Sequence, residues 1–87
     1  MRIVFVIEDE MHAEWVGEFP SREAALAELG RLAEVPWGQA PNRAPCTNGA
    51  TCRRNYEVIE YDTSEKPWNE LSRSGVLEIS ANEVRWR

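Results

Sequence analysis

The stretch Phe19 to Val35, FPSREAALAELGRLAEV, decides how the rest of the chain is read, because it alone has helical rather than strand periodicity. At about 100° per residue, Ala25, Leu26, Leu29, Leu32 and Ala33 fall on one side, while Glu23, Glu28, Arg31 and Glu34 point away. A helix striped in this way lies on a core. Ser21 is a good N-cap, since its hydroxyl can accept from an orphan amide of the first turn, and Glu23 sits where the helix dipole favours negative charge. Arg31 stands three residues from both Glu28 and Glu34, a spacing that makes weak surface ion pairs. Gly30, at the edge of the apolar stripe, is unfavourable by roughly 1 kcal/mol relative to alanine. Close approach of a neighbouring backbone or simple tolerance at the surface would each explain it. Pro36 stops the helix, because the residue before a proline is driven out of the helical region.

The segments around this helix read as strands. Arg2 to Glu8, RIVFVIE, is a β-branched and aromatic run of strand length that predicts a central strand covered on both faces. After the polar Glu8-Asp9-Glu10-Met11-His12, Glu14 to Phe19 resumes with Trp15, Gly17 and Phe19 alternating against Glu14, Val16 and Glu18, which predicts a hairpin with an acidic tip. Asn55 to Asp62, NYEVIEYD, is the next strand, with Tyr56 and Val58 on one face and Ile59 and Tyr61 on the other. Thr63 to Ser74 reads as a loop with a short helical turn from Pro67 to Leu71. Val76 to Ser80 and Glu83 to Arg87 close the chain as a hairpin turning at Ser80-Ala81-Asn82.

The expected order is therefore ββαβββ, an α+β fold with a mainly antiparallel sheet and one helix packed on one face. One helix covers one face only. Val4, Val6 and Val16, with some of Val58, Ile59 and Val76, are expected on the other, so either a loop or a second subunit should cover them, and a homodimer follows as an expectation.

Eighty-seven residues make a single small domain, spanning 1–87, that can bury roughly 60–65 % of its unfolded surface. The net charge of −5 argues against general affinity for nucleic acid or anionic membranes. Charge is unevenly spread: residues 1–35 carry eight acids and three arginines, whereas residues 36–55 carry Arg43, Arg53 and Arg54 and no acid. No apolar run approaches the roughly 20 residues that span a bilayer, and nothing after Met1 reads as a leader, so a cytoplasmic protein is expected.

Residues 36–54, PWGQAPNRAPCTNGATCRR, hold three prolines, two glycines and no sustained periodicity, and form a long loop of the kind that is commonly functional. Cys46 and Cys52 flank an Asn48-Gly49 turn signal that brings the thiols together. Reduced packing cysteines, a local disulfide, and a redox or metal role all fit, and Arg53 and Arg54 beside Cys52 favour its thiolate. The spacing matches no zinc pattern, and His12, the single histidine, stands at a solvated acidic turn, so no metal and no cofactor is expected. Trp37 and Trp68 each follow a proline and could present rigid aromatic surfaces, or could plug the ends of a small core. Arg43, Arg53 and Arg54 suit a carboxylate or phosphate. Catalytic constellations are lacking: there is no nucleophile motif, glycine-rich phosphate loop or paired metal motif.

Through APCTNGATCRRNYEVIEYD the chain resembles a family of small uncharacterised bacterial proteins that place a Pro-Trp loop and two cysteines before a strand of this type. The resemblance implies a free-standing bacterial domain and transfers no catalytic residue.

The sequence thus favours a noncatalytic protein-interaction or accessory module, binding a protein partner or a second copy of itself, with Trp37, Arg43, Arg53, Arg54 and Trp68 as contact residues. A thiol-dependent redox or metal-binding regulator using Cys46 and Cys52, with His12 as an auxiliary, is the alternative. Binding of a small ligand or anion at the basic loop is a third.

Overall fold

The computed structural model describes residues 2–11, 13–35, 53–80 and 83–87. Their elements are β1 (Ile3–Asp9), β2 (Glu14–Phe19), α1 (Arg22–Ala33), β3 (Arg53–Asp62), β4 (Asn69–Ser80) and β5 (Val84–Trp86). The strands form one antiparallel sheet in the order β2-β1-β3-β4-β5, so the fold is α+β with one helix and five strands among the described residues. Both β2 and β3 run antiparallel to β1, and so parallel to each other. A crossover must join them, and α1 supplies it. His12, Trp37, Arg43, Cys46 and Cys52, with most of the expected 36–54 loop, lie outside the described residues.

The helix forms where its periodicity places it. The Ser21 hydroxyl accepts from the Ala24 amide at 3.1 Å, with Ser21 in extended backbone at φ −147°, an N-cap contributing about 1 kcal/mol. Ala25, Leu29 and Leu32 are fully buried, and Leu26 and Ala33 pack at the margin. They rest on Ile7, Tyr56, Val58, Leu77 and Ile79, with Phe5, Val16 and Phe19 at the edge. Each fully buried leucine contributes about 1.5–3 kcal/mol, so this face supplies most of the cohesion between helix and sheet. At Gly30 a Cβ would meet nothing within 4 Å, which decides for a tolerated surface glycine.

Three expectations about strands are corrected. Arg53 and Arg54 belong to β3, paired with Ser80 and Ile79, rather than to the preceding loop. Strand β4 begins at Asn69, so the segment up to Ser74 is not all loop and Pro67 to Leu71 is not a helical turn. NELSRS lacks apolar alternation because residues 69–73 are exposed, and the segment is held by backbone pairing with β3 and by polar contacts such as Ser72 Oγ to Glu60 at 3.0 Å. Third, strict alternation along β2 fails. Ile7 pairs with Gly17 and Glu8 with Trp15, so Val16 is an extra bulged residue that joins Phe19 on the helix side. A similar irregularity at Val76 lets Val76 and Leu77 both enter that core.

These bulges reassign the second face. Val16, Val58 and Val76 pack with the helix, leaving Val4, Val6 and Ile59 for the side the helix does not cover. Val6 and Ile59 face each other across β1 and β3, and both are fully buried.

Candidate interaction surface

What lies over Val6 and Ile59 follows from the register. Trp15 stands opposite Glu8, and Tyr61 stands opposite Val4, so the two rings are anchored on either side of Val6 along β1. Their centroids are nevertheless only 6.1 Å apart, so the rings converge over the stretch between them. Trp68, just before β4, completes the group at 6.1 Å from Trp15, nearly parallel to it at 26°, and 5.8 Å from Tyr61. Offset and tilted pairs at these separations are each worth about 0.5–1.5 kcal/mol beyond the area they bury. The trio forms a roof-like group on the same face of the sheet as the fully buried Val6 and Ile59. Its outer surface stays open, since Trp15 keeps 53 % exposure while Tyr61 and Trp68 are part-buried.

An ionic cluster adjoins the roof. Arg73, opposite Ile59, donates to Glu57 through Nη1 and to Glu70 through Nη2 at 3.0 Å, and its Nη1 lies 3.8 Å from Glu8. One guanidinium therefore serves three carboxylates. The hydrogen bond to Glu70, followed by that to Glu57, raises the arginine's pKa further above its usual value, so it stays charged at every accessible pH. Burial raises the Tyr61 phenol, with Glu70 and Glu8 adding to the rise and Arg73 opposing it. These charges thus act directly on the aromatic group.

A different cluster sits under the helix side of the sheet. Arg54 is 4 % exposed and Asp9 fully buried, and Arg54 Nη1 donates to Asp9 Oδ2 at 2.9 Å. Asp9 Oδ1 accepts from the amides of Asn55 and Met11 at 3.0 and 3.1 Å, and Glu14 lies 3.6 Å from the same Nη1. Tyr56, paired with Asp9, is driven up to about 12 by burial; Arg54 pulls the other way, and Asp9 and Glu14 add to the rise. This arrangement joins β1, β2 and β3 at one end. Both Asp9 oxygens are already engaged, so it is a fastening rather than a reactive site.

The expected contact residues accordingly separate. Trp68 belongs to the aromatic group and is itself part-buried. Arg53 is half exposed, 3.6 Å from Glu78, whose carboxyl is lowered chiefly by its hydrogen bond from Arg87. Arg54 is buried against Asp9 and presents no surface to a partner, which corrects its assignment as a contact residue. The structure adds Trp15, Tyr61 and Arg73, which the sequence reading did not single out. Their signal was present in part: Tyr61 was placed on the face away from Tyr56, and only the β2 bulge was needed to bring Trp15 to the same side.

Among the described residues no group of three His, Cys, Asp or Glu is placed to hold a metal, and no helix is long and apolar enough to cross a membrane. Comparison with protein-family models, with curated proteins and with solved structures found no match.

Proposed function

We propose that the chain is a noncatalytic protein-interaction module whose contact surface is the open face of the sheet, centred on Trp15, Tyr61 and Trp68. The observation that supports this reading is a three-ring group carried by β2, β3 and the residue just before β4, in which Trp15 is half exposed. The rings stand on the face that holds Val6 and Ile59. Half of Trp15 remains in water, and large aromatic side chains that lose little conformational freedom on binding are what hot spots are built from. A charged rim beside an aromatic centre matches the usual division of an interface into apolar core and polar margin.

The test is capture of a binding partner, or of a second copy of the chain, by the native protein and by single variants. Trp15→Ala is expected to weaken binding about 30-fold or more, the scale of a hot-spot residue. Trp86→Ala is the control, because Trp86 is also half exposed but pairs with Leu77 on the helix side. Equal loss in both variants, or loss only in Trp86→Ala, would refute the assignment of the face. Circular dichroism melts of each variant separate lost binding from lost folding.

A further inference from the structure

We infer that the roof takes a cationic side chain, so that the partner of the open face is a basic segment carrying lysine or arginine. This rests on the reading of that face as a contact surface. Three ring centroids about 6 Å apart form a nearly equilateral triangle. A cation about 4 Å above its centre lies about 5 Å from each centroid, inside the roughly 6 Å range of a cation–π contact, which attracts where the cation meets a ring face. Charge points the same way. Among the described residues Glu8, Glu57 and Glu70 share Arg73 as their ion-pair partner, three carboxylates to one guanidinium. Arg73 cannot supply the missing cation, because its terminal nitrogens are bound to Glu57 and Glu70. The net charge of −5 draws a basic segment toward the domain, and the rings give it a place to stop.

The experiment titrates the full chain with blocked hexa-arginine and hexa-lysine peptides, using hexa-glutamate and hexa-serine as controls, and follows the indole N–H signals by NMR. Saturable shifts of Trp15 and Trp68 with the basic peptides, and little movement of Trp86, are expected. Trp15→Ala should weaken hexa-arginine at least about threefold, as an exposed cation–π contact implies. Glu70→Gln should weaken it more than Glu34→Gln, which removes the same charge from the exposed end of the helix. Equal binding of basic and serine peptides, equal shifts of Trp86, or equal effects of the two glutamine variants would overturn the inference, the last by showing attraction to net charge alone. If the peptides leave the rings unmoved but sedimentation shows a dimer lost in Trp15→Ala, the occupant is a second copy; the inference then fails and the contact surface stands. If neither peptides nor partner capture depends on Trp15, both fail together.

Discussion

Arg53 and Arg54 are neighbours in sequence and opposites in the fold, so replacing each by alanine is the sharpest test of the architecture. Arg54→Ala removes the guanidinium facing Asp9 at 2.9 Å and leaves a carboxylate with no exposure to water. Two backbone amides still donate to that carboxylate, which moderates the penalty. Breaking one side of a buried pair destabilises by about 3–5 kcal/mol, a large part of the roughly 5–13 kcal/mol that a domain of this size possesses. Arg53 stands on the opposite face with half its side chain in water, and its alanine variant should change stability by less than about 0.5 kcal/mol. Urea unfolding followed by circular dichroism measures both, and thermal melts should show Arg54→Ala lowered by more than about 12 °C. Asp9→Asn adds a check: it keeps an acceptor for the two amides but sets an N–H donor against the buried Arg54 guanidinium, so it too should destabilise far more than Arg53→Ala. Equal melts for the two arginine variants would refute the placement of Arg54 and, with it, the start of β3 at Arg53.

Leu29→Ala should destabilise by about 2–5 kcal/mol, since Leu29 is fully buried at the centre of the helix face, while Glu28→Ala should leave the urea midpoint nearly unchanged. Gly30→Ala should stabilise by about 0.5–1 kcal/mol, because the new methyl meets nothing and the helix backbone has less freedom to lose; a lower urea midpoint would show a neighbour there. Trp68→Ala should lose about 1–3 kcal/mol through the roof over Val6 and Ile59, and the fluorescence of Trp15 should shift with it. Tyr56, at about 12 when folded and about 10 when unfolded, binds its proton more tightly in the native state, so stability is full below pH 10 and falls as pH rises toward 12. The loss amounts to about 2–3 kcal/mol and should be absent in Tyr56→Phe; an equal fall in urea midpoint for both proteins between pH 9 and pH 11.5 would contradict it.

Local signals were legible wherever a segment buries one face against one neighbour. The cap at Ser21 follows from residue type, and the stripe of Ala25, Leu29 and Leu32 and the opposed faces of Tyr56 with Val58 and Ile59 with Tyr61 follow from period. The hairpin ending at Trp86 is of the same kind. Legibility failed where an element depends on a partner far along the chain. NELSRS carries almost no apolar pattern, and becomes a strand because β3 offers it a backbone edge. Arg54 looks like a surface charge until Asp9, 45 residues away, is placed beside it. Bulges are the other source of error, since one extra residue exchanges the two faces and a two-residue period cannot foresee it.

The roof also changes the argument for self-association. A sheet with a helix on one side would expose Val6 and Ile59 on the other, and a second subunit would then be the simplest cover. Here both residues are fully buried, and rings from positions 15, 61 and 68 gather on their side of the sheet. The exposed apolar surface has therefore moved outward, from β-branched side chains on the sheet to the outer sides of aromatic rings. A bare valine patch would ask for a large flat hydrophobic partner. Rings rimmed by carboxylates ask for something smaller and positively charged, and they can hold it without any rearrangement of the sheet beneath.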